Sequence, residues 1–223
     1  LNLPRDVLSA QADYAPLQSV DEYRPCAAPA GEASAIARAA TRLLSAKRPV
    51  IIAGGGIKNT EGHATALALA EALNAPVVTS PGHGDAIPFG HPLNAGQMGP
   101  RGNLVASQLV KEADVILALG TRIGFNATFY SYDNINRDAA IIQIELDPTA
   151  LGRYFPIAIG IWADAPTAAL QLCDEVTRLE KRRIADDWTA TFKADRRAFL
   201  AARDAEAITT TNPIQPSGLF KTL

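Results

Sequence analysis

The chain has 223 residues, 48% hydrophobic and 20% charged, which is enough apolar material for one sizeable core. Lys and Arg number 21 against 23 Asp and Glu, a net charge of -2, so there is no basic field to hold nucleic acid or an anionic membrane. No apolar run is long enough to span a bilayer, and the two cysteines, Cys26 and Cys173, are too few for a disulfide scaffold. A reduced, cytoplasmic protein is the expectation.

The opening Leu1-Asn2-Leu3-Pro4-Arg5-Asp6 lacks an initiator methionine and a following apolar segment, so the chain is expected to begin inside a longer protein. Residues 9–30 are rich in Ala, Pro, Ser and Gln without a sustained period and read as an extended linker. Periodicity then sets in. Ile36, Ala40, Leu43 and Leu44 share one face of a predicted helix from about Glu32 to Ala46, closed by Lys47-Arg48-Pro49. The wholly apolar run Pro49-Val50-Ile51-Ile52-Ala53 reads as a strand covered on both faces.

The same alternation repeats. A helix from about Thr60 to Leu73 leads to a strand at Pro76–Thr79, and a long Gly/Pro-rich loop is expected from Ser80 to Arg101. A helix near Asn103 to Lys111 precedes the strand Asp114–Leu119. A strand at Ala140–Glu145 follows, then a shorter one at Pro156–Ile161. From Asp164 to about Arg203 the pattern is helical, with Leu170, Cys173, Val176 and Leu179 on one face and Trp188, Phe192 and Phe199 extending it. Residues 208–216 read as another linker, and Ser217 to Phe220 as the start of a helix. The predicted fold is α/β, a doubly wound, largely parallel sheet of five or six strands flanked by helices. Its expected divisions are 1–30 (end of a preceding domain and linker), 31–183 (central α/β domain) and 184–223 (helical extension and linker).

Candidate chemistry lies at the carboxyl ends of the strands, where ligands bind in such sheets. Gly54, Gly55 and Gly56 follow the first strand and either bring backbone N–H groups to a phosphate or form only a tight turn; Asn59 stands where a third fingerprint glycine would be. Thr121 and Arg122 follow the Gly120 that ends the central strand. Arg122 suits either a phosphate or carboxylate ligand or an ion pair within the chain. Asp147, before Pro148, can accept from ribose hydroxyls or cap a helix, and Asp164 has the same two readings. In the long loop, His83 and His91 lack metal-ligand spacing and no Ser or Cys is placed for a triad, so neither a metal site nor a catalytic residue is expected in this chain.

Three stretches together resemble the central domain of the acetolactate synthase family of thiamine-diphosphate-dependent enzymes: Lys47–Gly56, Ala113–Arg122 and Ile142–Pro148. Residues 1–7 resemble the close of the pyrimidine-binding domain that precedes it, and Pro216 to Leu223 the first helix of the diphosphate-binding domain that follows. Gly90–Gly102 and Ile123–Ile135 are most similar to the sulfoacetaldehyde acetyltransferase branch, and Gly124-Phe125-Asn126 departs from the Asp-Asp-Arg of true acetolactate synthases.

The resemblance implies a thiamine diphosphate- and Mg²⁺-dependent acyltransferase that cleaves sulfoacetaldehyde with phosphate to acetyl phosphate and sulfite. It also implies that the cofactor's glutamate and its Gly-Asp-Gly metal motif lie in other domains, so that this chain alone is inactive. Some relatives hold FAD or ADP at positions resembling Gly54–Gly56, Thr121, Arg122, Asp147 and Asp164, although acetyl transfer to phosphate needs no flavin. Gln97, Met98 and Arg101 are candidates for a substrate loop. A homodimer or homotetramer of the full-length protein is implied as well. The competing readings are an acetolactate-synthase-like carboligase and a stand-alone nucleotide-binding module.

Overall fold

The computed structural model describes residues 2–13, 16–23, 27–58, 62–179, 187–207, 213 and 215–222. Cys26, Asn59, Thr60 and most of the second expected linker therefore lie outside the described residues. The first elements are α1 (Arg5–Ser9), α2 (Val20–Tyr23), α3 (Ala33–Ser45), β1 (Pro49–Ala53), α4 (Gly55–Lys58), α5 (His63–Leu73), β2 (Val77–Thr79) and β3 (Asn94–Gln97). Then come α6 (Leu104–Glu112), β4 (Val115–Leu119), α7 (Phe125–Thr128), β5 (Ala140–Glu145), β6 (Ile159–Trp162), α8 (Ala165–Arg178), α9 (Asp187–Glu206) and α10 (Pro216–Thr222).

The six strands form one sheet in the order β3-β2-β1-β4-β5-β6, and every neighbouring pair is parallel. Uninterrupted apolar strands favour this arrangement, because a parallel sheet is covered on both faces and leaves no side for polar residues. All five residues of β1 and of β4 are buried. Alternate strand residues then feed two cores. Ile51, Leu117, Ile142 and Ile161 pack under α3, α5 and α8, whereas Val50, Ile52, Ile116 and Ile141 pack with α6 and with Phe192 of α9.

Helix termini are set by local chemistry. Glu32 caps α3, its carboxylate accepting from the N–H groups of Ser34 and Ala35 at 2.8 Å each. Hydrogen bonds from Ser34 hold that carboxyl below its ordinary value. Asn103 caps α6 through Ala106 N–H at 2.7 Å. Helix α9 crosses the sheet. Trp188 Nε1 donates to Pro49 O at 3.2 Å, Thr189 Oγ1 to Asn74 O at 2.8 Å, and Phe192 is buried beneath them. Burying one such phenylalanine stabilises by about 2–3 kcal/mol.

The structure corrects the sequence reading in three places. The loop expected over Ser80–Arg101 contains β3, whose Asn-Ala-Gly-Gln carries no apolar pattern but pairs with β2 through a register shift between Val77 and Val78. The last strand begins three residues later than expected, because Pro156 lacks the N–H that a ladder needs. On α8, Leu170 is 56% exposed, and the buried face is Ala165, Ala168, Ala169, Leu172 and Val176. Small alanines there let α8 approach α5 and α3 closely, so bulk did not mark the core side.

Candidate functional site

The strand order reverses between β1 and β4, and a crevice opens outside their carboxyl ends. A cleft of about 530 Å³ lies there. Gly55 and Gly56 line it from β1, Ser80, Pro81 and His83 from β2, Gly120–Arg122 and Gly124–Ala127 from β4, and Glu145 from β5. Of the expected residues, the cleft collects Gly55, Gly56, Thr121 and Arg122. Gly54, Asp147 and Asp164 stand outside its lining, as do Gln97, Met98 and Arg101.

The glycine turn is tight for a reason internal to the fold. A Cβ on Gly54 would stand 2.5 Å from Gly120 O, and one on Gly56 would stand 2.7 Å from Gly120 Cα. The two turns are pressed together, and their backbones bond to each other: Gly54 N–H donates to Leu119 O at 3.1 Å and Gly56 N–H to Gly120 O at 3.0 Å. Two of the three glycine N–H groups are thus spent on the neighbouring strand and turn.

The charged candidates are also engaged. Arg122 lies 3.6 Å from the Asp147 carboxylate, and both are substantially exposed. Asp147 accepts from Thr149 Oγ1 at 2.6 Å and Thr149 N–H at 2.9 Å, capping the turn Pro148–Ala150. The Thr149 hydroxyl, then its N–H, and then Arg122 hold the Asp147 carboxyl below its ordinary value. Asp164 caps α8 through Thr167 Oγ1 at 2.7 Å and N–H at 3.1 Å. Beneath these turns, buried Gln143 donates to Thr121 O at 3.2 Å and Ala150 O at 3.3 Å, and accepts from Gly152 N–H at 2.8 Å. One side chain therefore ties the β4 and β5 turns together.

The opposite wall carries one aromatic, Phe125. Behind it, Phe125, Phe129, Tyr130 and Tyr154 form a chain of ring contacts with centroids 4.6–5.6 Å apart. Phe125 and Tyr130 remain about half exposed. Ile123, Phe129 and Tyr130 take φ of 49°, 50° and 56°, a left-handed region that costs a non-glycine residue about 1–2 kcal/mol. Burial of Ile123 and the hydroxyl of Thr128, which Tyr130 N–H reaches at 3.2 Å, help to fix this backbone.

The candidate substrate residues sit behind that wall. Met98 is fully buried in the core, Gln97 is half-buried and Arg101 exposed. Their loop backs onto the cleft: a Cβ on Gly99 would stand 3.0 Å from the carbonyl oxygens of Asn126 and Ala127. The expected set omits Ser80, His83, Phe125 and Asn126. Ser80 and His83 follow β2, and applying the carboxyl-end rule to that strand as well as to the central pair identifies them. His83 Nδ1 is buried and has no hydrogen-bond partner among the described residues.

Whether these residues suit a nucleotide is decided by their bonds. A dinucleotide needs free N–H groups for its pyrophosphate and a free carboxylate for its ribose. Here two glycine donors, Asp147 and Asp164 are already bonded, and Glu145 Oε1 accepts from Leu146 N–H at 3.0 Å. Several of the donors and acceptors that a flavin or adenine dinucleotide would use are thus already engaged within the chain. The described residues contain no cluster of three or more His, Cys, Asp or Glu able to hold a metal ion. Burial, with Asp174 beside it, pushes the Cys173 thiol up to about 11, which makes it a poor nucleophile.

Fold and cleft together define a doubly wound α/β domain with a crevice at its switch point. Residues 36–172 match the thiamine pyrophosphate enzyme central-domain family, and the chain belongs to that family. It is 43% identical to a sulfoacetaldehyde acetyltransferase of Rhodobacter capsulatus over 171 residues, covering 76% of this chain and 28% of the relative. A sulfoacetaldehyde acetyltransferase of Castellaniella defragrans is 37% identical over 91% of this chain and 32% of its own length. An acetolactate synthase large subunit of Buchnera aphidicola is 28% identical over 100% of this chain and 38% of its own. The chain thus spans about a third of the length of these relatives. The solved structure of benzoylformate decarboxylase from Polynucleobacter necessarius shares the fold, with a TM-score of 0.59 over 80% of this chain and 32% of that one at 18% identity. Among the described residues, no helix is long and apolar enough to cross a membrane.

Proposed function

We propose that this chain is the central domain of a cytoplasmic sulfoacetaldehyde acetyltransferase that converts sulfoacetaldehyde and phosphate to acetyl phosphate and sulfite. The observation that carries the reading is the 43% identity to a relative of that name, against 28–33% to acetolactate synthase large subunits. The departure at Gly124-Phe125-Asn126, which lines the cleft, supports the same choice.

Thiamine diphosphate and Mg²⁺ supply the carbanion chemistry of such an enzyme, and their ligands belong to pyrimidine- and diphosphate-binding domains outside this chain. The residues here have a supporting role. The division of the chain at about residues 30 and 183, and a homodimeric or homotetrameric full-length enzyme, are parts of the same proposal. Gly54, Gly55, Gly56, Thr121, Arg122, Asp147 and Asp164 form the former nucleotide positions. The bonds that most of them make within the chain support a cleft that carries no FAD or ADP. Gln97, Met98 and Arg101 brace or border an active-site loop.

The full-length enzyme should release sulfite from sulfoacetaldehyde in a phosphate-dependent manner and give no acetolactate from pyruvate. The opposite pair of results would overturn the assignment in favour of a carboligase. Calorimetry of this chain with thiamine diphosphate and Mg²⁺, or with FAD, should show no binding heat. A yellow purified protein with flavin absorbance would contradict the cleft reading alone.

A further inference from the structure

In the switch-point cleft the carboxylate is occupied and the side-chain donors are not. Glu145 Oε1 accepts from Leu146 N–H at 3.0 Å and from Asp147 N–H at 3.4 Å. Ser80 and Asn126, by contrast, make no side-chain hydrogen bond among the described residues. Neither ring nitrogen of His83 has such a partner, and its Nδ1 is buried. A neutral imidazole always carries one N–H, so His83 brings a donor in either tautomer. Thr121 Oγ1 accepts from Ile123 N–H at 3.4 Å, which leaves its hydroxyl hydrogen to give. Arg122 presents a fork of N–H donors, and its ionic contact with Asp147 is 3.6 Å long. Ser80 is 6% exposed and Thr121 8%, so both are largely withdrawn from water. Donors so placed destabilise a fold unless something accepts from them.

These donors stand on two sides of one gap. Ser80 and His83 follow β2, whereas Thr121, Arg122 and Asn126 follow β4. β2 and β4 flank β1, so their ends lie two strand spacings apart, about 10 Å. Between them β1 ends in Gly55 and Gly56, which have no side chain to fill the space. A tetrahedral oxyanion accepts in several directions at once, at about 2.8 Å per bond, and can bridge side chains reaching in from both sides. A carboxylate is planar and offers only one such plane.

We propose that the cleft binds a small tetrahedral oxyanion, inorganic phosphate or an alkyl sulfonate, held by Ser80 and His83 from one side and by Thr121, Arg122 and Asn126 from the other. Arg122 supplies the charge, and the uncharged donors select an ion that accepts from several directions. Glu145, the one carboxylate in the lining, holds the affinity down by repulsion. The site follows from the bonding of these side chains and stands independently of the reaction assigned above.

The test is a nitrogen-15 NMR titration of the 223-residue protein with inorganic phosphate, methanesulfonate and acetate in turn, at fixed pH and ionic strength. It is repeated on Arg122→Ala, Asn126→Ala and Glu145→Gln, whose amide spectra also report whether each variant is folded. Saturable shifts at the Ser80, His83, Arg122 and Asn126 amides are expected with phosphate or methanesulfonate, and acetate should bind at least tenfold more weakly. The tighter of the two oxyanions identifies the source of the ligand. Arg122→Ala should weaken binding about tenfold and Asn126→Ala about threefold, while Glu145→Gln should tighten it. Shifts that fail to saturate, acetate binding as tightly as the oxyanions, or Arg122→Ala binding as tightly as the parent would each overturn the proposal. So would ADP binding tenfold more tightly than phosphate, which would make the cleft a nucleotide site.

Discussion

On the β1 side of the cleft, Gly54, Gly56 and Gly120 lie in backbone contact and two glycine N–H groups are satisfied by the adjoining strand and turn. On the far side, the β4–β5 loop brings Phe125, Phe129 and Tyr130 into a chain of ring contacts that ends on Tyr154 of the following connection, and it holds three left-handed non-glycine residues and exposed apolar surface. The first wall spends its unusual residues on packing. The second spends stability on holding large side chains at the rim, a pattern associated with surfaces that meet something else. Glycine richness, by itself, therefore says how close two backbones must come, and the bonds decide whether a ligand is involved.

The sharpest way to break this comparison is to add one methyl group on each side. Gly120 has φ +62°, and its Cβ would lie 2.6 Å from Gly56 Cα and 3.0 Å from Ala165 Cβ. Backbone strain and overpacking together put the cost of Gly120→Ala at about 3 kcal/mol, a large share of a typical stability of about 5–15 kcal/mol. At Gly124 a Cβ would meet only Tyr154 Cε2, at 3.9 Å, on extended backbone. Gly124→Ala should stay within about 0.5 kcal/mol of the parent. Urea unfolding of the two variants measures the difference, and equal midpoints would show that the close approach is not what the glycines serve.

Next in size is the buried link beneath both walls. Gln143→Leu keeps roughly the same volume but leaves Thr121 O, Ala150 O and Gly152 N–H without their partner. A loss of about 2–3 kcal/mol is expected, with the dependence on urea unchanged. A neutral result would mean that the β4 and β5 turns are held by the strands alone.

Much of this architecture is legible from residue order, and the failures are informative. The expected bounds of β1 and β5 match the structure because buried parallel strands are unbroken apolar runs. β3 escaped because its Asn-Ala-Gly-Gln carries no such signature, and its edge is held by Asn103, at the start of the next helix, and by Arg196 from α9. The cleft was legible at the level of location, since the ends of β1 and β4 do line it. What the sequence could not resolve is which partner each polar group chooses. Gly54-Gly55-Gly56 reads the same whether its N–H groups meet a phosphate or a neighbouring turn, and Asp147 and Asp164 read the same as caps or as ribose acceptors.

That last ambiguity yields a smaller effect with a clear sign. Asn replaces Asp as a helix cap at little cost, whereas Ala does not. Asp164→Ala should lose about 1 kcal/mol and Asp164→Asn only a few tenths, measured by thermal unfolding at neutral pH. Equal losses from both would indicate that the charge of Asp164, rather than its capping bonds to Thr167, is what the fold uses.

The smallest expected effect concerns how firmly Arg122 is held at the cleft mouth. The Asp147 carboxyl sits below its ordinary 3.8, chiefly because Thr149 donates to it from hydroxyl and backbone, with Arg122 contributing less at 3.6 Å. A carboxyl depressed in the folded state stabilises fully above its unfolded value, and that contribution is lost as pH falls through the folded value. The window for Asp147 therefore lies below 3.8, and stability at neutral pH is insensitive to its titration. Carbon-13 NMR titration of the Asp147 carboxyl should show the midpoint rising more in Thr149→Val than in Arg122→Ala. If the order reverses, Arg122 is bound to Asp147 too tightly to serve a ligand; if it holds, the guanidinium is secured mainly by proximity and keeps donors available toward the cleft.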